Sequence, residues 1–481
     1  EWLLVEKMKF VINKKKNYMS FGLIYFYLIN CIIGWVLYTI RNVKNYNIVL
    51  VSWWINIIFL VSFYSFFRII GKIGLQHIIL MVCFLFNFGQ TFMWSLGIHS
   101  DNEIGKTKLY SNYKIPNNVE IYRGIIYSGW CFLALLIGMT LILGIKKQNN
   151  LKQRKDIMLV VYKVSICLAW VVVPLTFVKI FITISFSLIN GYASLYYGGF
   201  VLPPILDFAE KLFFPVIIGI LLGSEYKTVK IIYTIFGAFV LLYCVAGERG
   251  NWFYDLLVLL WLHHNYYKKM DIKKMLKLFL ISFLALYLIG AVVDLRQYGL
   301  GNVSVDTFIS AMSLGNNPII RFIMEMGGSL GVTIVVLGIN ISAFPVKNSF
   351  LAALLGSVST KLANILGVPV VYLSNYLSQN ILKITYGAGF NLFAETYVNG
   401  SVLYMVLFGA FFALLLGDNC GKEYSFKAYI SIIITPIICS GFRNESLSLL
   451  KNLVQVGILY PLAIMLIYKI IAMRKRVWIP K

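Results

Sequence analysis

The sequence predicts an all-α, polytopic integral membrane protein with about fourteen membrane-spanning helices, alternatively twelve, and with both termini on the cytoplasmic side. Three observations carry that prediction. Of 481 residues, 59% are hydrophobic and only 13% are charged, about half the roughly 25% charge of a soluble globular chain. The apolar residues gather in runs of the length that crosses a bilayer as helix, roughly 20 residues. The net charge is +24, and the basic residues lie in short clumps between the runs. The low charge density rules out a soluble enzyme and a disordered chain. The scattered bases argue against nucleic acid, whose binders gather them on one folded face.

Taken in order, the runs lie at 18–40, 47–67, 73–97, 124–145, 158–189, 206–224, 228–246, 251–267, 275–293, 322–343, 349–371, 391–417, 428–442 and 449–472. They make residues 1–481 a single multi-pass membrane domain, with an outer loop at 190–205. Residues 294–390 form an outer-side region that holds re-entrant or additional membrane helices. Two runs in that region are weak. The 322–343 run contains Glu325 and several glycines, and the 349–371 run contains Ser357, Ser359, Thr360 and Lys361. Irregular backbone at membrane depth is tolerated only where protein or water covers it. If both weak runs stay on the outer side, the count is twelve.

Charge sets the orientation. With the N-terminus inside, the clumps at Lys14-Lys15-Lys16, 146–155, 268–277 and 474–481 all face the cytoplasm, as the positive-inside rule requires. The first run is too long for a secretory signal and has no small-residue cleavage site. Met8, followed by Lys9 and Phe10, reads as a natural start, with residues 1–7 extraneous. The seven cysteines are scattered without metal or redox spacing. The adjacent His263-His264 pair points in directions about 100° apart on a helix, so no metal site is expected.

The arginines divide differently from the lysines. Only Arg68, Arg154, Arg474 and Arg476 fall inside. Arg41, Arg123, Arg249, Arg296, Arg321 and Arg443 fall outside. A guanidinium presents a fixed fork of donors that pairs bidentately with phosphate or carboxylate. Arginines gathered at the outer face suit an anionic ligand with a lipid tail, and the bland alternative is that each anchors a helix end. Five outer clusters follow: Gly247-Glu248-Arg249-Gly250-Asn251, Asp294-Leu295-Arg296-Gln297, Arg321 with Glu325, Gly387-Ala388-Gly389-Phe390-Asn391 leading to Glu395, and Arg443-Asn444-Glu445. Glu395 reads as an unpaired carboxylate at the start of a long apolar run. Asp255 sits within an apolar run, on about the face of Asn251. The aromatic and glycine-rich stretch Asn190-Gly191-Tyr192 to Pro203-Pro204 fits sugar stacking, and fits an interfacial aromatic belt better. No P-loop, dinucleotide turn, zinc signature or nucleophile elbow occurs, so no metal and no cofactor is expected.

The Gly247–Asn251 hairpin is followed by a Tyr266-Tyr267-Lys268-Lys269 tail. Beyond it come Asp294-Leu295-Arg296, Asn317-Pro318, the Gly387-x-Gly389-Phe390-Asn391-x5-Tyr397-Val398-Asn399-Gly400 segment and Arg443. Together these resemble the Wzy-type O-antigen and capsular polysaccharide polymerases, over roughly residues 190–450. One departure is the stretch after Gly400, Ser401-Val402-Leu403-Tyr404, where such proteins often carry further glycines.

The resemblance implies a glycosyltransferase at the outer face of a bacterial cytoplasmic membrane. It moves a growing glycan from its polyprenyl-pyrophosphate carrier to a new lipid-linked repeat unit, with no cofactor. It implies that Arg249, Arg296, Arg321 and Arg443 hold the pyrophosphate, and that Glu395, Glu248 or Asp294 accepts the proton of the attacking hydroxyl. The expected partners are the lipid-linked oligosaccharide and the membrane, with a chain-length regulator and a flippase, and no nucleic acid. A polysaccharide flippase or other transporter, and an O-antigen ligase, stay open as alternatives.

Overall fold

The computed structural model describes residues 2–39, 47–145, 155–190, 200–246, 251–271, 273–274, 277, 318–346, 348–417 and 425–477. Among them every regular element is helical. The first eight helices are α1 Trp2–Thr39, α2 Ile48–Ile70, α3 Leu75–Ser95, α4 Asn118–Ile145, α5 Lys155–Asn190, α6 Pro204–Gly223, α7 Val229–Ala246 and α8 Asn251–Leu262. After the undescribed stretch come α9 Pro318–Met326, α10 Ser329–Leu337, α11 Ser349–Val358, α12 Thr360–Ile365, α13 Leu373–Tyr376, α14 Leu392–Val398, α15 Leu403–Leu416, α16 Phe426–Gly441, α17 Ser446–Asn452 and α18 Tyr460–Val477.

Seven stretches among the described residues are long and apolar enough to cross a bilayer: Asn17–Thr39, Ile48–Ile70, Leu75–Ser95, Asn118–Gly144, Asp156–Ser187, Ile320–Leu337 and Ser446–Met473. Four shorter apolar helices accompany them, Val229–Cys244, Ser349–Val358, Leu403–Leu416 and Phe426–Gly441. α6 has the length but holds Asp207, Glu210 and Lys211. The 275–293 run apart from residue 277, most of the 190–205 loop and residues 294–317 lie outside the described residues.

The first eight helices alternate in direction, which gives the bundle two ends. One is marked by hydrogen bonds from Trp261 Nε1 to Ile73 O and from Gln76 Nε2 to Gly417 O. The other, called here the upper end, carries the 96–117 loop and the 443–445 turn. Glycines allow the closest packing below it. A Cβ on Gly138 of α4 would stand 2.0 Å from Val406 O, and one on Gly409 of α15 would stand 2.1 Å from Leu135 O. Gly219 and Gly223, one turn apart on α6, meet Ser165 and Tyr162 of α5 in the same way. Small residues at this spacing let helices approach where lipid supplies no hydrophobic drive.

Three expected runs are not continuous helices. The 322–343 run divides at Gly327-Gly328 into α9 and α10, which ends at Leu337. The 349–371 run breaks at Ser359, where φ is −160°, and the Ser359 hydroxyl caps α12 by accepting from Leu362 N. The chain then turns at Gly367 (φ +68°) and brings Val370 back against Gly356. The 391–417 run divides into α14 and α15 at Gly400, φ +74°. In each, serine or glycine gives the backbone a local alternative to the helix, which an apolarity average does not register.

Above the main core sits a second apolar cluster that includes Tyr110, Val335, Phe344, Leu377 and Phe390. Tyr110 Oη donates to Ala388 O at 2.6 Å, and Asn112 Nδ2 donates to Leu382 O and Lys383 O. The 96–117 loop thereby clamps the 377–390 segment. Its own anchor is Glu103, which accepts from Trp94 Nε1 at 2.8 Å and pairs with Lys106 at 3.1 Å. Burial alone would raise this carboxyl, and those donors, with Ser100 N and His99, hold it below its ordinary range.

Gly138→Ala should separate α4 from α15, since the new methyl meets backbone rather than a movable side chain. We expect a lower thermal midpoint and less folded protein in detergent, a cost of about 1–3 kcal/mol. Gly237→Ala on α7, with nothing within 4 Å, should unfold at the same temperature or higher.

Candidate active site

Charges inside apolar helices are costly unless they are paired or face a cavity. Near the upper end, α5, α6, α7, α8, α16 and α17 enclose a cavity of about 280 Å³ that collects such charges: Lys179, Asp207, Glu210, Lys211 and Asp255. Lys179 Nζ lies 2.6 Å from Asp207 Oδ1 and also pairs with Glu210. The other Glu210 oxygen accepts from Tyr243 Oη at 2.5 Å. Lys211 reaches Gln455 Oε1 at 3.4 Å. Glu210 is therefore held by a cation on one oxygen and a phenol on the other. Asp255 lines the same space and feels the Glu210 charge.

Distorted backbone opens this space. Pro215 interrupts α6 and Pro436 interrupts α16, and both line the cavity. A proline within a helix removes one intrahelical hydrogen bond and bends the axis. The Pro215 carbonyl accepts from Tyr429 Oη at 2.9 Å. On the third wall, α17 continues into a widened π turn, Leu453–Leu459, which holds Val456 at the cavity.

The structure places the predicted residues unevenly around this cavity. Glu248, Arg249, Asp294 and Arg296 lie outside the described residues. Arg443 is exposed three residues beyond the cavity-lining Ser440, with its guanidinium 6.0 Å from the centre of the Phe86 ring. Phe86 packs on Tyr254, another lining residue, at 5.7 Å. Arg321 is on α9, whose Phe322 packs against Phe253 at 5.6 Å, so its helix abuts the start of α8. Arg443 and the helix of Arg321 thus reach the cavity's rim through one aromatic chain. The sequence does not join Lys179 to Asp207, Glu210 and Lys211, because Lys179 sits in one run and the other three sit at the start of the next. All four lie within about three turns of an upper helix end.

Glu395 is not unpaired. It is 1% exposed and accepts from Ser349 Oγ (2.6 Å), Ser446 Oγ (2.6 Å) and Ser446 N (2.7 Å). Asn399, one turn on, accepts from Ser349 N at 2.8 Å and donates to Ser349 Oγ at 2.7 Å. The sequence could not show these donors, which stand about 50 residues away on either side. Glu445 does the same for the far end of the hairpin, accepting from Leu373 N, Ser374 N and Ser374 Oγ. The two carboxylates therefore staple both ends of the 349–373 hairpin to α14 and to the 443–445 turn. The Gly389-Phe390-Asn391 segment positions Glu395. Gly389 takes φ +70°, Phe390 fills the upper cluster, and Asn391 Oδ1 caps α14 by accepting from Ala394 N at 2.7 Å.

Among the described residues no group of three or more His, Cys, Asp or Glu is arranged to hold a metal ion. What the cavity offers instead is a cation-and-carboxylate set, with the exposed Arg443 guanidinium one aromatic ring beyond its lining.

A family model described as O-antigen polysaccharide polymerase Wzy matches residues 18–475. No curated protein and no solved structure matches the chain.

Two outcomes test the staples. Glu395→Ala leaves three buried donors without an acceptor, each costing about 1–3 kcal/mol, so the folded yield should collapse. A residue serving only as a base would lose activity at full yield. Glu445 lies in the turn between α16 and α17. Burial, with the nearby Glu395 charge adding to it, outweighs its donors and raises its carboxyl from 4.5 to about 7. Because the folded value is the higher one, this stabilisation is full below about 4.5 and is lost as pH rises through about 7. The loss is on the order of 3 kcal/mol, read as a falling thermal midpoint from pH 5 to pH 8. Glu445→Gln should flatten that profile.

Proposed function

The chain belongs to the O-antigen polysaccharide polymerase Wzy family, and we propose from that premise that it joins lipid-linked oligosaccharide repeat units at the outer face of the cytoplasmic membrane. Membership makes it a glycosyltransferase-type polymerase acting on lipid-linked repeat units within the membrane. The finer reading is that the growing glycan leaves polyprenyl pyrophosphate and passes to the new repeat unit. A chain-length regulator and a flippase act beside it. The observation that carries this reading is the charged cavity at the upper end, with Arg443 one aromatic ring beyond its lining.

In the reaction a hydroxyl oxygen of one glycan attacks the anomeric carbon of the other. The bond from that carbon to pyrophosphate breaks, and the carrier departs with its electron pair. Arg443, with Arg249, Arg296 and Arg321, binds the pyrophosphate and stabilises the charge that grows on it. Fixed donors aimed at developing charge supply the largest single contribution to such catalysis. The attacking hydroxyl must give up a proton. Glu248 and Asp294 keep the role proposed for them from sequence, whereas Glu395 has both oxygens occupied. Asp255 is the better base among the described carboxylates, since it lines the cavity and its neighbour Glu210 holds Lys179 and Tyr243. Lys179 fixes Glu210 and Asp207 so that their charges do not compete for the substrate's place.

Deleting the gene and running the surface glycan on a gel tests the reading. Single repeat units in place of a ladder are expected. Loss of all surface glycan would indicate a flippase instead, and long unattached chains a ligase. Asp255→Asn should cut polymer by about 10²-fold or more at normal protein level. Arg443→Lys keeps the charge but loses the fork and should shorten the ladder severely. Normal ladders in both variants would refute this assignment of the site.

A further inference from the structure

The short helix α14 has a second working face. Glu395 points to the staple, and Tyr397, two residues on, points about 200° away around the axis. There it borders a separate cavity of about 490 Å³ at the upper end, between the end of α1, the start of α4 and the turn at Gly400. Its walls are two aromatic pairs. Tyr38 lies 5.3 Å from Trp130, and Tyr127 lies 5.7 Å from Tyr397 at 87°. All four rings are partly exposed. One ring of each pair is anchored from behind, Tyr127 Oη to Thr396 Oγ1 at 2.9 Å and Trp130 Nε1 to Cys31 O at 3.3 Å, which holds those two faces in place.

Arg123 completes the cavity and is exposed. The nearby acid Glu120 is engaged by Lys114 at 2.5 Å. Among the described residues no carboxylate lies within salt-bridge distance of Arg123 itself. A cation in the opening turns of a helix also opposes the helix dipole. Glu120 acts on Arg123 through charge alone, so the fork of donors stays open to an incoming anion.

We propose that this cavity is a carbohydrate subsite that takes a sugar ring bearing an anionic substituent, the ring against the aromatic walls and the substituent in the fork of Arg123. Aromatic faces suit the apolar face of a pyranose, and guanidinium suits a carboxylate or phosphate group. The inference rests on the polymerase reading for the glycan that reaches the cavity. It adds that the site on α14's far face selects for an acidic residue in the repeat unit. A lipid headgroup shares the anionic chemistry, and the test separates it.

The probe is the lipid-free oligosaccharide released by mild acid from the producing cells' own surface polysaccharide. It is used as prepared and after reduction of its carboxyl groups, or removal of its phosphates. Binding is measured to full-length protein in phosphatidylcholine nanodiscs. The untreated probe should bind, and Arg123→Gln should weaken it about tenfold or more. The neutralised probe should bind wild type only as weakly as the untreated probe binds Arg123→Gln. Trp130→Phe keeps an aromatic wall and should retain most binding, while Trp130→Ala, judged at equal folded fraction, should not. Equal affinity of Arg123→Gln and wild type overturns the proposal. So does a native oligosaccharide with no anionic group, or loss of binding when phosphatidylglycerol replaces phosphatidylcholine. Failure of the polymerase reading shows separately, as a deletion strain that keeps its ladder.

Discussion

The architecture depends on one constraint: ionic and polar groups buried among apolar helices must find partners inside the protein. The partners here come from distant parts of the chain. Lys179 of α5 meets Asp207 and Glu210 of α6, and Tyr243 of α7 meets Glu210 from the other side. Glu395 of α14 joins Ser349 and Ser446, and Glu445 joins residues 373 and 374. Each pairing ties together helices that apolar packing alone would leave free to slide. Buried ion pairs seldom add much net stability, but removing one partner is costly. They therefore specify the arrangement more than they strengthen it.

The same pairings divide the labour at the upper end. The stapled carboxylates hold a hairpin and a short helix in place and are closed to solvent. The cavity carboxylates stand in open space beside a lysine pair, with Arg443 beyond the lining. Two in-helix prolines and a π turn lie at that cavity and not at the glycine-packed contact of α4 with α15. Irregular backbone and unusual charge thus coincide, as expected where a membrane protein trades regular helix for a binding space. The α14 segment serves both halves of this plan, with the Glu395 staple on one face and the Tyr397 wall on the other.

Much of the helical pattern was legible in sequence, because hydropathy averaged over about 20 residues is what a bilayer selects for. The first five runs correspond to five of the seven long apolar stretches. The breaks at Ser359 and Gly400 were not legible, since one serine or glycine barely changes such an average. Asp255 was noticed as a charge within an apolar run. Lys179 and Glu210 were not joined to it, because 31 residues separate the first two and pairing is a property of packing. Glu395 was noticed for the right isolation in sequence and given the wrong surroundings, since its donors sit on α11 and α17. The glycine-rich segment before it drew attention for its composition. Its physical role is to turn the chain, fill the upper cluster and cap a seven-residue helix.

The central claim is that the lipid-linked substrate occupies the charged cavity between α5, α6, α8 and α16. A photoreactive amino acid at position 437 would sit at that cavity, and one at position 241 would sit on the outer apolar surface of α7, where Leu241 is 69% exposed. In proteoliposomes holding the lipid-linked repeat unit, position 437 should crosslink to it, and added polyprenyl pyrophosphate should suppress the crosslink. Position 241 should label only bulk lipid. Equal labelling at the two positions, or a crosslink at 437 that polyprenyl pyrophosphate does not compete away, would contradict the account.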